Sequence, residues 1–326
     1  MSPARQNIPK TVPLIKTEGV CIDFPSGGFW APSVRALDHV DMEVDPGEIR
    51  GVVGESGSGK TTLARCLLRL IKPTFGSIYF DGQDLAALSP AALRAKRREF
   101  QMIFQDPYSS LNPAMTVEEI LLEPFQIHRI GNPEERNGYV RELLDAVSLS
   151  AEWIKRKPAE LSGGQQQRVG IARGLALKPR LVIADEPVSA LDASVQAQIL
   201  NLLADLTRRY ALTLILISHS LYVVHYLCSR ISVMLRGRIV EEAPAPVFFQ
   251  EPRHPYSRLL LENMPAPGTA ERGRRQLPAE DLAAFSKIES CCPFFPHCPR
   301  ALPVCKEQPP PFREIAPGEK VRCFLY

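Results

Sequence analysis

Two short stretches of this 326-residue chain carry the residue types that phosphate chemistry needs. The first is Gly54-Glu55-Ser56-Gly57-Ser58-Gly59-Lys60-Thr61-Thr62, which fits the pattern G-x-x-x-x-G-K-[ST]. Glycines let the backbone curl until successive N–H groups point into one anion-sized hollow. A helix beginning there adds its positive N-terminal end. Lys60 then reaches the β- and γ-phosphates, and the Thr61 hydroxyl is a ligand for Mg²⁺. The second stretch is Asp185-Glu186, at the end of the apolar run Leu181 to Ala184. A strand ending in two carboxylates delivers both to the carboxyl edge of a sheet, where α/β proteins bind their ligands. Asp185 there holds Mg²⁺, and Glu186 is free to polarise an attacking water as general base.

These groups act together only if strands and helices set them side by side. Glu48 to Val53 is an extended apolar run ahead of the glycine loop, and Leu63, Leu67, Leu68 and Ile71 recur after it with helical spacing. Arg180 to Ala184 and Leu212 to Ile217 are continuous Ile/Leu/Val runs, as in strands covered on both faces. Ser194 to Arg209 between them has a helical pattern, and strand–helix–strand implies a parallel α/β unit. Leu14 to Phe24 and Val40 to Val44 partly alternate, as half-buried strands do. Residues 88–178 are richer in helix signals, with Val140, Leu143, Leu144 and Val147 as one example. The basic run from Arg94 to Arg98 reads as a solvated helix face in preference to a phosphate patch.

Composition bounds the rest. Apolar residues at 45% and charged ones at 23% describe a globular chain, and the length suggests about two domains. No apolar run approaches the ~18–20 residues that span a bilayer. The N-terminus lacks a signal-peptide layout, so the expectation is a cytosolic protein with reduced thiols. A net charge of +3 is too mild to demand a nucleic-acid partner. Two residue types are unevenly placed: 15 of the 30 prolines fall in residues 241–326, and five of the eight cysteines in the last 36 residues. That divides the chain compositionally into an ordinary globular body and an unlike C-terminal part. Cys292-x5-Cys298-x6-Cys305-x17-Cys323, with Cys291 adjacent, offers four thiolates for Zn²⁺ or an iron–sulfur cluster. The spacing matches neither the close pairs of zinc ribbons nor ferredoxin patterns, and reduced packing thiols are the alternative.

Leu161-Ser162-Gly163-Gly164-Gln165, followed by Gln166-Gln167-Arg168, resembles the signature of ATP-binding cassette (ABC) ATPases. In that family's order, Gln105 in Phe104-Gln105-Asp106-Pro107 resembles the Q-loop, Ser189 to Asp192 the D-loop, and Ser218-His219 the H-switch. The resemblance covers roughly residues 14–243. It implies an α/β P-loop NTPase cassette: a RecA-like core, an antiparallel β subdomain and a helical signature subdomain at about 88–178. Residues 1–13 are then an N-terminal tail, and 244–326 a small Cys/Pro-rich C-terminal extension. The resemblance further implies hydrolysis of MgATP with Glu186, His219 and Gln105 as catalytic residues. ATP is held by Gly54 through Thr62 and, from an opposite cassette, by Ser162, Gly163, Gly164, Gln165 and Asp192. Phe24 lies where the family places an adenine-stacking aromatic, and Thr61, Gln105 and Asp185 surround Mg²⁺. His219 is expected on the γ-phosphate, and Gln105 reports nucleotide state to the helical subdomain.

Narrower features resemble the ATPase subunits of oligopeptide/dipeptide importers: the run from Gln105 to Pro113, Ser194 to Gln198, and His254-Pro255-Tyr256. This implies an ATP-closed homodimer, or a heterodimer with a paralogue, beneath two integral membrane permease subunits. An extracytoplasmic substrate-binding protein completes the complex, and the chain sits peripherally on the cytoplasmic face of the inner (plasma) membrane. The C-terminal resemblance implies a [4Fe–4S] cluster on Cys292, Cys298, Cys305 and Cys323, ahead of Zn²⁺. The same group imports nickel, glutathione and opines, which leaves those cargoes open beside peptides. A soluble cassette ATPase uncoupled from transport is the alternative from another class. Two positions depart from the pattern. Ser220 follows the switch histidine where Asp is common, either side chain being able to cap the next helix, and Val188 stands where Thr is usual.

Overall fold

The continuous apolar runs form the parallel centre of an eight-stranded sheet. The computed structural model describes residues 12–25, 33–264 and 291–326. The expected tail at 1–13 therefore lies almost wholly outside the described residues. In chain order, β1 (Ile15–Phe24) pairs antiparallel with β2 (Val34–Val44), and β3 (Ile49–Val53) leads into α1 (Lys60–Leu67). Next, β4 (Phe75–Phe80) and the two-residue β5 (Gln83–Asp84) join β1 in a small sheet of order β2-β1-β4-β5. The helix-rich stretch holds α2 (Pro90–Lys96), β6 (Phe100–Ile103), α3 (Pro107–Ser110), α4 (Val117–Ile127), α5 (Pro133–Ala146) and α6 (Gly163–Leu175). The core continues through β7 (Leu181–Asp185), α7 (Ala193–Tyr210), β8 (Thr213–Ser218), α8 (Leu221–Leu227), β9 (Arg230–Leu235) and β10 (Arg238–Pro244). Last come α9 (Ala245–Gln250), α10 (Pro255–Glu262), α11 (Val304–Glu307), β11 (Arg313–Ala316) and β12 (Glu319–Val321).

The large sheet runs β11-β12-β10-β9-β3-β8-β7-β6, with β9 through β6 parallel and the other three strands antiparallel. Side chains alternate between its two faces. Leu181, Ile183, Ile215 and Ile217 join Leu63 and Leu67 of α1 and Ile15 and Phe80 of the small sheet in one core. Val182, Ala184, Leu214 and Leu216 join Ile199 and Leu203 of α7, Val224 of α8 and Leu144 of α5 in the other. A strand with both faces covered cannot alternate apolar with polar, which explains the uninterrupted runs. Each such fully buried Leu or Ile contributes roughly 1.5–3 kcal/mol.

Helix starts follow from local chemistry. Thr116 with Glu119, and Asn132 with Glu135, make reciprocal capping boxes on α4 and α5. Ser220 differs from the expectation: it occupies the N-cap position of α8, but its side chain makes no cap hydrogen bond. Its backbone N–H instead donates to Ser218 Oγ at 3.0 Å. In the basic run, Arg94 and Arg98 are exposed, while Lys96 pairs with Glu99 at 3.0 Å and lies over the Phe80 ring.

The sheet does not stop at the compositional seam. Glu241 and Glu242 of β10 pair with Val321 and Lys320 of β12, so the end of the chain adds two strands to the core sheet. The join is internally charged. Arg50 of β3 is buried and donates to Glu242 Oε1 at 2.8 Å and Ser232 Oγ at 3.0 Å, with Glu48 Oε1 on its Nε. Removing one partner of such a buried network leaves an uncompensated charge.

Candidate nucleotide site

The glycine loop sits between the carboxyl end of β3 and the first turn of α1. Its conformation requires glycine at two points. Gly54 has φ 153°, and a Cβ there would lie 2.2 Å from Met234 O. Gly59 has φ 103°, and its Cβ would lie 2.7 Å from Ala36 O. Gly59 also starts α1 without any side-chain cap, so the first N–H groups of that helix are left to an anion. Lys60 folds back inside the loop: Nζ donates to Gly54 O and Glu55 O, both at 2.8 Å, and to Ser58 Oγ at 3.4 Å. Burial pulls the lysine pKa down, opposed by the carboxylates of Glu186, Asp185 and Glu55. A cation held by neutral carbonyls is poorly compensated, and a phosphate oxygen is a stronger partner.

β7 brings its two acidic residues to the same edge. Asp185 is buried, and Thr61 Oγ1 donates to its Oδ1 at 3.3 Å. Burial raises its carboxyl pKa; the Thr61 hydroxyl opposes this and the neighbouring Glu186 charge adds to it. A hydroxyl and a carboxylate are the hard oxygen donors that Mg²⁺ takes, and a cation there relieves the buried acid pair. Glu186 has φ 46°, the left-handed region that non-glycine residues seldom occupy, and its N–H is tied to Ile217 O at 2.9 Å. Its Oε2 meets His219 Nδ1 at 3.0 Å and accepts from Gln105 Nε2 at 3.3 Å. The bond from His219 holds this carboxyl below its ordinary range against the cost of burial. Residues 105, 186 and 219, far apart in the chain, therefore converge on one carboxylate.

The signature is built against α7. Ser162 and Gln165 cap α6 reciprocally, Gln165 N–H to Ser162 Oγ at 3.3 Å and Ser162 N–H to Gln165 Oε1 at 2.8 Å. A Cβ on Gly164 would lie 2.6 Å from Val195 Cγ1, so α6 leaves no room for a side chain against α7 there. In the D-loop, Ser189 Oγ donates to Glu186 O at 3.1 Å, while Asp192 stands exposed at the start of α7. Phe24 ends β1 opposite Val34 and is 40% exposed.

The four C-terminal cysteines also gather. Cys292 N–H donates to Cys305 O at 2.9 Å, and the Cys292 thiol, pushed up to about 12 by burial, lies within electrostatic reach of Cys298, Cys305 and Cys323. Among the described residues, the group that brings three metal-ligand atoms within 4.8 Å of one another is Cys21, Asp38 and His39. There Asp38 is already paired with Arg238 at 2.5 Å and bonded to His39 at 2.7 Å.

Sequence motifs did not disclose one neighbour of the loop. Glu55 N–H donates to the hydroxyl of Tyr256 at 3.0 Å. The only signal for it was the His-Pro-Tyr triplet, which carries no phosphate chemistry of its own.

Two family models cover successive parts of the chain. Residues 37–189 match the family model described as ABC transporter, and residues 240–305 match that of the oligopeptide/dipeptide transporter C-terminal region. The chain is similar to a putative peptide import ATP-binding protein of Brucella ovis, 45% identical over 96% of this chain and 98% of that protein. It is also similar to an oligopeptide transport ATP-binding protein of Bacillus subtilis, 46% identical over 90% of each. Among solved structures, a dimeric ATP-binding cassette bound to ADP and Pi superposes with TM-score 0.65 and 32% identity, covering 71% of this chain and 98% of that one. A subunit of a Clostridium perfringens ABC transporter complex gives TM-score 0.64 at 25% identity, covering 78% and 96%.

Proposed function

Because this chain belongs to the ATP-binding subunits of ABC transporters, in the peptide/oligopeptide import family, we propose that Glu186 is the general base and Lys60 the phosphate anchor of its ATP hydrolysis. The chain is the ATP-hydrolysing subunit of an importer. The observation that carries the site assignment is the convergence of Gln105 and His219 on Glu186, beside Thr61 on Asp185.

In this reading the triphosphate draws Lys60 from the Gly54 and Glu55 carbonyls onto its β- and γ-oxygens. Thr61 and Asp185 would hold Mg²⁺, which when bound would neutralise charge on the phosphate oxygens. Glu186 takes the proton of the attacking water, Gln105 orients that water, and His219 turns from the carboxylate to donate to the γ-phosphate. Ser162 through Gln165 and Asp192 close on the nucleotide of a second cassette, as the dimeric form of the similar cassette supports. Closure and reopening impose alternating access on two membrane subunits, which take peptides from an extracytoplasmic binding protein. The ATPase sits against them on the cytoplasmic face; no helix among the described residues is long and apolar enough to cross a membrane.

The C-terminal thiols are assigned to an iron–sulfur cluster. Cys298, Cys305 and Cys323 all lie within electrostatic reach of the buried Cys292 thiol, and four thiolates are the ligand set of such a centre.

Phosphate release from MgATP tests the reading. Glu186→Gln is expected to bind ATP, accumulate as a dimer and lose turnover, whereas Lys60→Ala loses nucleotide affinity. Wild-type hydrolysis by Glu186→Gln would refute the assigned base. Uptake of a labelled peptide panel and of Ni²⁺ by the reconstituted complex identifies the cargo, and metal uptake without peptide uptake would overturn the peptide assignment.

A further inference from the structure

The triplet His254-Pro255-Tyr256 lies beyond every motif of the nucleotide site, yet its tyrosine ends inside the phosphate loop. Glu55 N–H donates to Tyr256 Oη at 3.0 Å, and Tyr256 is wholly buried. The carbonyl of the same peptide unit, Gly54 C=O, accepts from Lys60 Nζ at 2.8 Å. One peptide plane is thus pinned on both sides, by the tyrosine at its N–H and by the lysine at its C=O. Gly54 cannot take a side chain of its own to do this, since a Cβ there would meet Met234 O. The clamp comes from a distant element, α10.

That element is itself fixed by buried hydrogen bonds. His254 caps α10, its Nδ1 accepting Tyr256 N–H at 3.0 Å, and Pro255 supplies the preset φ of a first helical residue. Glu241 of β10, 1% exposed, accepts Arg253 N–H at 2.7 Å and His254 N–H at 2.8 Å on its two oxygens. Phe294 packs against the Tyr256 ring with centroids 5.5 Å apart, and against His254 at 6.0 Å. The His-Pro-Tyr motif therefore reads as a cap, a helix start and a clamp.

We propose that Tyr256 is a positioning residue for ATP: it fixes the Gly54–Glu55 peptide so that Lys60 and the N–H groups following Glu55 are preset for the β- and γ-phosphates. The proposal rests on the reading of Gly54 to Thr62 as the ATP site. A loop whose leading peptide can turn must be ordered at each binding event, which weakens ground and transition state alike. Tyr256→Phe removes the hydroxyl and keeps the ring. The expected result is a rise of about five- to fifty-fold in both KM and Kd for MgATP, with kcat changed less than about threefold. Glu241→Gln, whose amide can accept only one of the two N–H groups, is expected to move KM the same way with the tyrosine hydroxyl intact. Wild-type KM and Kd in Tyr256→Phe overturn the proposal, and so does a fall in kcat at constant KM. Wild-type protein that neither binds nor hydrolyses MgATP refutes the ATPase reading instead, so the two failures are distinguishable.

Discussion

His219 Nδ1 lies 3.0 Å from Glu186 Oε2, so the switch histidine and the proposed base form a hydrogen-bonded pair in this structure. That bond is the largest influence holding the Glu186 carboxyl below its ordinary range. Two consequences separate for His219→Ala. Turnover is expected to fall by about 10²–10³, the usual cost of losing one donor to developing charge. The remaining activity is expected to show its acidic limb moved to higher pH, because a carboxyl without the imidazole protonates more readily and a base must be ionised to act. A pH–rate profile of kcat/KM for the variant checks both. An unmoved acidic limb would separate His219 from Glu186.

The tight contact of Gly164 with α7 predicts a rescue. A methyl on Gly164 would lie 2.6 Å from Val195 Cγ1, and valine is too stiff at χ1 to yield cheaply. Gly164→Ala is expected to cost about 1–3 kcal/mol through overpacking and to impair ATP-dependent dimerisation by tilting the start of α6. Adding Val195→Ala removes the colliding methyl and is expected to restore most of both. Urea unfolding and sizing in the Glu186→Gln background read the two effects separately. A double variant no better than Gly164→Ala would mean that glycine is needed there for the partner and not for α7.

Residues such as Gly59, Lys60 and Asp185 were legible in the sequence because their chemistry dictates their spacing, and the strands before them declare themselves by unbroken Ile, Leu and Val. The elements that the sequence did not declare are those defined by a remote partner. β6 is four residues long and gains its identity only from pairing with β7. β12 shows three residues, Glu319 to Val321, and becomes a core strand because Glu241 and Glu242 offer it an edge. Glu55 and Tyr256 are 201 positions apart, and a hydrogen bond from a backbone N–H leaves no trace in the type of residue that donates it. Ser220 shows the converse: it has the right type for a cap and stands at the N-cap of α8, yet its side chain makes no cap bond.

Buried His254 makes stability pH-dependent in a stated direction. Burial pulls its pKa down to about 3, and its Nδ1 must stay unprotonated to accept Tyr256 N–H. Below about pH 6.5 the unfolded chain binds a proton on this residue that the native chain refuses until about pH 3. Stability is therefore unaffected by His254 above pH 6.5 and declines as pH falls through the window, by about 2 kcal/mol at pH 5. His254→Asn keeps a capping acceptor without the titration. Urea unfolding at pH 8 and pH 5 is expected to show a smaller acid loss for the variant than for the natural protein. Equal losses would assign the acid sensitivity elsewhere.

The cysteine end yields the last prediction. Cys292 and Cys305 are buried, Cys298 and Cys323 half-buried, and burial raises the thiol pKa of Cys292, Cys298 and Cys323. Bare thiols so placed would be neutral, inert and merely apolar, whereas coordination makes each a thiolate and adds its binding energy to folding. The two cases differ in a measurable way. With a cluster, anaerobically purified protein contains iron and acid-labile sulfide, absorbs in the visible through sulfur-to-iron charge transfer, and loses both colour and thermal stability on chelation. Cys305→Ser is then expected to be colourless and to melt several degrees lower, since β12 and Phe294 are anchored through the same segment. With packing thiols alone, Cys305→Ser loses a little apolar contact and no colour. Protein lacking both iron and zinc by elemental analysis, with a melting point indifferent to chelators, would establish that the tetrad packs and does not ligate.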